Sequence, residues 1–164
     1  MKSMAAEVKR AKNNAWSTIS RWKTANRDMY DLIKQCDACI GKYDDATMST
    51  FGIKVRESDV NGLGVFAIRH FEENTCMGFL TRKFATKEET EARTNYTFTI
   101  PGYNDVVVDM YNVASANFTR FINSNVALLA QDANVTINWY GPIGALVSTQ
   151  IIFPNEELLL DYEL

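Results

Sequence analysis

Hydrophobic and polar positions follow two patterns along the chain, with a change near residue 45. Up to residue 40 there is no Gly or Pro, and apolar residues recur in steps of four and three. These positions are Ala15, Ile19, Trp22, Met29, Ile33, Cys36 and Ile40, with Asn26 in the one polar slot. The spacing predicts a long N-terminal α-helix with a heptad seam that stops near Gly41.

Two interpretations of this seam stay open. It packs on the residues that follow, or it pairs with a second copy as a dimerising coil in which Asn26 sets the register. Ala and Cys are poor seam residues, and Trp16, Tyr30 and Leu32 widen the stripe, which favours packing within the chain. A homodimer through the helix is the alternative.

From residue 51 the pattern changes to short alternating runs interrupted by Gly, Asn, Asp and Pro, which is typical of a β-rich domain. We predict a short helix at 87–93 and a helix or helical turn at 112–124. The predicted strands are 53–56, 64–68, 75–80, 96–100, 106–109, 134–139, 145–148 and 157–160. The chain is therefore predicted to be mainly β, with a helical segment over 1–45 and one domain over 46–164.

Composition narrows the possible chemistry. The 164 residues include one histidine, His70, and three cysteines. A catalytic triad would have to use His70, and an odd number of cysteines argues against a disulfide framework. Cys36 and Cys39 have the spacing of half a zinc site, but the other half is missing, so we expect no metal. Without an apolar signal or spanning segment, we expect a soluble, intracellular protein.

Charge differs between the two parts of the chain. Residues 1–45 carry nine Lys and Arg against six Asp and Glu, a balance of +3. Residues 46–164 carry eight against fourteen, a balance of -6. An acidic domain argues against nucleic acid as a partner, because phosphate binding needs clustered cations. It suits a cationic partner such as a lysine-rich peptide.

Three segments carry candidate chemistry: 61–67 (NGLGVFA), 117–125 (NFTRFINSN) and 152–162 (IFPNEELLLDY). The first contains the letters of a dinucleotide fingerprint, but that motif needs a helix after it, and Val65, Phe66 and Ile68 favour a strand. A hairpin turn explains the segment equally well. Two glycines in a tight turn also let a ligand approach the backbone closely.

In this order the three segments resemble the SET-domain protein lysine methyltransferases. That family has a glycine pair before a VFA-like strand, then N-x-x-R-F-I-N-H-S, then G-E-E-L-x-x-D-Y, and the resemblance covers about 53–162. It implies small β-sheets with a threaded C-terminal segment, and S-adenosylmethionine as cofactor. The implied reaction is methyl transfer to a lysine of a basic protein, with a histone tail, and hence chromatin and the nucleus, as one candidate.

The family's site residues can be placed on this sequence. By resemblance, Leu160 lines the lysine channel, and Tyr162 is the catalytic tyrosine and also borders that channel. Phe79 lies where the family often has a tyrosine near the cofactor. The remaining implied cofactor contacts are Asn61, Gly62, Leu63, Gly64, Arg120, Phe121, Asn123 and Ser124.

Such chemistry needs no histidine. A bound sulfonium carries an activated methyl group, and the acceptor must be a neutral amine although free lysine has a pKa near ~10.4. A positive sulfur ~4 Å away would lower that pKa by about 3 units at an effective dielectric near 20. The phenol of Tyr162 would then orient the amine and methyl group.

The sequence also departs from the family. Ser124 replaces the family histidine, about five residues are inserted before Asn134, and Asn155 replaces a glycine, a tolerated change where φ is positive. Leu160 offers no hydroxyl, which favours di- or trimethylation. We expect no zinc modules to flank the domain, as in compact viral SET proteins. A SET-like binding or assembly module without catalysis is the alternative function.

Overall fold

The helical segment consists of several helices. A computed structural model describes residues 4–125 and 132–161. It contains α1 over Met4–Ala25, α2 over Arg27–Ala38 and a short α3 over Asp45–Ser49. The predicted long N-terminal helix is present as α1, but it ends at Ala25 rather than near Gly41, because Asn26 has an extended φ of -146° and caps α2. Its side-chain oxygen accepts the N–H of Met29 at 3.2 Å, a bond that Asn makes well at a helix start.

The predicted seam faces the rest of the chain. Ala15, Trp22, Ile33 and Cys36 are buried in one hydrophobic core with the strands. Helix α1 packs on the strands at 84–86 and 106–109, and α2 packs on the strand at 76–79. The seam therefore serves internal packing, while Asn26 is exposed and does not fill a buried slot.

The strands form small sheets, as predicted. β1 (Ile53–Glu57) pairs antiparallel with β2 (Leu63–Ala67), and β6 (Val106–Asp109) lies between β4 (Phe84–Thr86) and β5 (Thr97–Thr99). A larger sheet has the order β3-β9-β8-β10-β7. Its strands are Cys76–Phe79 (β3), Asn123–Ser124 (β7), Val135–Tyr140 (β8), Ile143–Ser148 (β9) and Leu159–Leu160 (β10).

Two connections differ from their predictions. The helix expected at 87–93 is a 3-10 helix over Glu91–Tyr96, and β4 precedes it as a strand that the pattern did not indicate. A buried run of only three residues carries no readable alternation. The helical turn expected within 112–124 consists of two 3-10 helices, Val113–Ser115 and Phe118–Phe121, followed by β7.

The C-terminal segment inserts between two strands that lie close in space. β10 runs parallel to β7 on one side and to β8 on the other, so Leu160 faces both Ser124 and Val135. Asn134 fixes this insertion, because its amide oxygen accepts the N–H of Leu159 at 2.8 Å and its Nδ2 donates to the carbonyl of Glu157 at 2.9 Å. The threaded segment implied by the resemblance is therefore present.

The cysteines are part of the packing. All three are free thiols, and burial raises the pKa of Cys36 to about 12. Across 4–125 and 132–161, no group of three or more His, Cys, Asp or Glu side chains is arranged to hold a metal ion. The same residues include no helix with the length and apolar character that crossing a membrane requires.

Candidate active site

A cleft of about 630 Å³ lies where the β1–β2 turn meets the end of the 117–125 segment. The 3-10 helix before β5 forms its other wall. Seven of the nine residues predicted to contact a cofactor line it, and Gly64 and Phe79 do not. The lining consists of Asn61, Gly62, Leu63, Thr94, Asn95, Tyr96, Thr97, Arg120, Phe121, Ile122, Asn123 and Ser124.

The two glycines of the turn are needed for different reasons. Gly62 has a φ of +48°, an angle that favours glycine. A Cβ placed on it would meet nothing within 4 Å, so the backbone angle and not lack of space accounts for glycine here. Gly64 is buried, and a Cβ there would collide with the carboxylate of Glu157 and lie 3.0 Å from the Cβ of Ser58. The second glycine thus makes room for a carboxylate.

The carboxylate of Glu157 joins the turn to the 117–125 segment. It accepts the hydroxyl of Ser58, with Oε1 at 2.7 Å, and its Oε2 accepts Nδ2 of Asn123 at 2.9 Å. The Ser58 hydroxyl in turn accepts the N–H of Val60 at 2.9 Å. We call Ser58, Gly64, Asn123 and Glu157 the Glu157 cluster. Hydrogen bonds to a charged acceptor are the stronger ones, so this cluster orders the turn.

The amide of Asn123 also holds the turn directly. Its Nδ2 lies 3.1 Å from the carbonyl oxygens of both Asn61 and Leu63, in addition to the Glu157 carboxylate. The two amide hydrogens are therefore shared among three acceptors. The backbone of Asn123 is fixed on its other side by parallel pairing with Leu159. Asn123 was expected at this site, and the structure shows which groups it orients.

Arg120 stabilises the wall of the cleft that contains Tyr96 and Phe121. Its Nε donates to the carbonyl of Met110 and its Nη2 to the carbonyl of Tyr111, both at 3.0 Å. The guanidinium carbon lies 4.7 Å from the ring centre of Tyr96 and 4.8 Å from that of Phe121. A guanidinium between two aromatic faces is held by cation–π attraction. Part of its hydrogen-bonding capacity is thus used within the protein.

Tyr43 supports Phe121 from behind, although nothing in its sequence context indicated this. The two rings meet edge to face at 5.0 Å, and the Tyr43 hydroxyl lies within 2.7 Å of the carbonyls of Val113 and Ala116. Burial raises the pKa of the Tyr43 phenol, and the nearby charge of Arg120 opposes that shift. Tyr43 therefore remains a neutral donor that fixes the wall.

Sequence reasoning also missed residues of the cleft and its support. Ser58 and the 94–97 wall lie in stretches without a motif. Glu157 lies inside the quoted NEELLLDY letters, so its signal was present without an assigned role. Asn155, just before it, has a φ of +73°, as its place at a glycine position predicted. This turn directs the chain towards Glu157 and β10.

The other predicted site residues lie elsewhere. Phe79 is 0% exposed and packs against Trp22 with tilted rings whose centres are 5.6 Å apart, so it has no surface for a ligand in this conformation. Leu160 is 4% exposed, between β7 and β8. Tyr162 lies outside the described residues, and so do residues 126–131, in the stretch where the insertion before Asn134 was expected. The roles proposed for Leu160 and Tyr162 stay predictions.

The fold and the cleft together define a β protein of small sheets whose C-terminal segment inserts beside a glycine turn. The SET domain family model matches residues 62–163, and the chain belongs to this family. The resemblance drawn from the three motifs is thereby confirmed for the family, while its viral character stays a prediction.

Solved structures agree on the fold. The methyltransferase domain of human PR domain-containing protein 2 is similar, with a TM-score of 0.60, and the match covers 74% of this chain and 84% of that chain. The two sequences are 16% identical, a level at which the likeness shows the fold alone. No curated protein matches the sequence.

Proposed function

We propose that this protein transfers a methyl group from S-adenosylmethionine to a lysine side chain of a basic protein. The observation that carries the proposal is the convergence of seven motif residues on one cleft in a SET-family chain. Residues 61–63 and 120–124 are far apart in sequence, and neither segment needs such polar side chains to build a core. Their common location favours a ligand site.

The residues of the cleft fit the proposed cofactor. A volume of about 630 Å³ is within the range of about 300 to 1,000 Å³ found for small-molecule sites. Leu63, Phe121 and Ile122 offer apolar surface for a nucleoside, while Asn95 offers hydrogen-bonding groups for its polar ends. When bound, S-adenosylmethionine supplies a methyl group already activated by its positive sulfur.

The protein's own contribution is to bind, orient and exclude water. The Glu157 cluster and Arg120 fix the two walls before any ligand arrives, which lowers the cost of ordering them on binding. Tyr162 is proposed to orient the acceptor amine through its phenol oxygen. Leu160, as an apolar neighbour of that tyrosine, favours a channel that accepts a methylated amine.

Charge supports a cationic protein as substrate. Residues 46–164 carry a balance of -6, from eight basic and fourteen acidic side chains. A second depression, of about 670 Å³, includes Asp59, Asp132, Glu156 and Glu157 in its lining. This acidic surface attracts basic chains by long-range electrostatics. A histone tail is a suitable first substrate to test.

Calorimetric titration with S-adenosylmethionine tests cofactor binding. The proposal expects saturable binding, whereas absence of binding at millimolar cofactor would refute it. The alternative, a SET-like module without catalysis, predicts no transfer of labelled methyl groups to histones under conditions in which the cofactor is bound.

The variant Tyr162→Phe tests the proposed tyrosine. We expect it to bind the cofactor as the unmodified protein does and to lose methyl transfer by about 100-fold, the size of effect typical for one oriented polar group. Tyr140→Phe is the matched control, because Tyr140 lies at the end of β8 outside the cleft lining. Equal rates in the two variants would refute the role of Tyr162.

A further inference from the structure

We propose that Glu157 is a positioning residue for the cofactor cleft, acting through Asn123 and the glycine turn. This inference rests on the proposed function, because it concerns the affinity of the same site. Glu157 does not line the cleft; it lines the separate acidic depression. Its influence on a ligand must therefore pass through the groups that its carboxylate holds.

Those groups belong to both sequence-distant parts of the cleft. Ser58 lies 99 residues before Glu157, and Asn123 lies 34 residues before it. Through Ser58 the carboxylate fixes the start of the turn, where the N–H of Ser58 also donates to the carbonyl of Gly62 at 2.8 Å. Through Asn123 it fixes the amide that touches the carbonyls of Asn61 and Leu63.

The backbone of Glu157 is held independently of its side chain. Its carbonyl accepts the amide of Asn134, and the residue bridges to Phe66 of β2. The N–H of the following Leu158 donates to Val65 at 2.8 Å. Replacing the side chain therefore leaves the threaded segment in place and changes the position of the turn. The effect on the cleft can thus be measured without loss of the fold.

The chemistry at this point favours a charged acceptor. A carboxylate presents lone pairs on both oxygens to the Ser58 hydroxyl and the Asn123 amide. Glutamine has the same shape, but it carries no charge and its NH₂ cannot accept. Facing Asn123, the NH₂ would lose that hydrogen bond; facing Ser58, it would reverse the bond to the hydroxyl, and both remaining bonds would lack charge assistance. The turn and Asn123 would then be fixed less firmly relative to each other.

The experiment compares Glu157→Gln with Glu73→Gln by titration calorimetry and steady-state kinetics. Glu73 is the matched control, because it is exposed before β3 and lines neither the cleft nor the acidic depression. We expect Glu157→Gln to weaken binding of S-adenosylmethionine and of its demethylated product by about 10-fold each, and to raise the KM for the cofactor with little change in kcat. Glu73→Gln should bind both within 2-fold of the unmodified protein.

Equal loss for the two ligands is the decisive result, because positioning affects the parts they share. A loss confined to the positively charged cofactor would overturn the inference in favour of a direct charge effect. Unchanged binding in Glu157→Gln, with binding intact in the unmodified protein, would also overturn it. Absence of binding in the unmodified protein would instead refute the proposed function.

Ser58→Ala gives a second measurement if Glu157→Gln does not fold. It removes one donor to the carboxylate and leaves the Asn123 contact. A 2- to 4-fold loss of affinity for both ligands is expected, and a loss within error of zero would overturn the inference.

Discussion

The layer formed by helices α1 and α2, here called the helical layer, and the cleft are stabilised in contrasting ways. Helices α1 and α2 are joined to the strands by apolar side chains, among them Trp22 and Ile33. The cleft is held by a few directed hydrogen bonds, centred on Asn123 and Glu157. Burial is non-directional and follows from periodicity alone, whereas a hydrogen-bonded cluster requires particular partners at particular distances. A region held by apolar burial tolerates replacement by apolar side chains of similar size. A hydrogen-bonded cluster, in contrast, is disturbed when a single donor or acceptor atom is changed.

The largest effect is expected when the buried tryptophan of α1 is replaced. Trp22 is 8% exposed and meets Phe79 and Tyr140, each with ring centres 5.6 Å away. Trp22→Ala should lower the free energy of unfolding by about 3 to 5 kcal/mol, because it leaves a cavity between α1 and the sheet. Denaturant titration measures the change, and cofactor affinity of the folded fraction should stay the same.

Trp16, on the same helix, provides the control. It is 72% exposed, so Trp16→Ala should change the unfolding free energy by less than about 0.5 kcal/mol. Similar losses for both tryptophans would contradict the assignment of a single buried face to α1.

The cleft is tested by its two glycines. Gly64→Ala introduces a methyl group against the Glu157 carboxylate and should destabilise the protein by about 1 to 3 kcal/mol, as overpacking does, with a loss of cofactor affinity. Gly62→Ala meets open space and carries only the backbone cost, about 1 to 2 kcal/mol.

Thermal unfolding and calorimetry on the two variants separate these effects. Both variants should lose ligand affinity, Gly62→Ala because Gly62 lines the cleft and Gly64→Ala because it displaces the turn. The larger loss of stability expected for Gly64→Ala separates them. Gly64→Ala binding as tightly as the unmodified protein would show that the Glu157 cluster is not rigid.

The last test concerns the burial of the Cys36 thiol between α2 and the strands. Burial raises the pKa of Cys36 from 9.0 to about 12, so the unfolded chain loses this proton before the folded protein does. The unfolding free energy contributed by this thiol is thus full below pH 9 and falls between pH 9 and 12. The expected slope is about 1.4 kcal/mol per pH unit.

Denaturant titrations between pH 8 and 10.5 measure this slope. Cys36→Ala should reduce the slope without abolishing it, because burial also raises the pKa of Cys76 and of Tyr43. Cys39→Ala, at the end of the same helix, should retain the original slope. An identical slope in all three proteins would show that water reaches α2.

The same contrast explains how far sequence reasoning could reach. The seam at Trp22 and Ile33 was predictable, because helical burial repeats at a fixed interval. The break at Asn26 was not, since an Asn in a seam and an Asn at a cap look alike without knowledge of the backbone angle. The motif letters predicted the cleft around Asn123, because those letters belong to a family.

Motif letters could not show what each residue does there. Gly64 was assigned to ligand contact, yet its missing side chain makes room for Glu157, which follows 93 positions later. Phe79 was placed near the cofactor by the family resemblance, but it is completely buried and packs against Trp22 of α1. Roles that depend on non-local contacts cannot be predicted from local spacing.

The parallel strand β10 has a consequence for the order in which the protein becomes competent. β7 finds its strand partner only when residues 159 and 160 have been synthesised, some 36 residues after its own. A nascent chain can therefore form the helices and the β1–β2 hairpin before β10 has fixed β7 at the cleft. Such distant pairing is slow to form. A ligand that binds only the finished cleft would stabilise those new chains in which β10 has paired with β7. Its concentration would therefore influence the yield of folded protein.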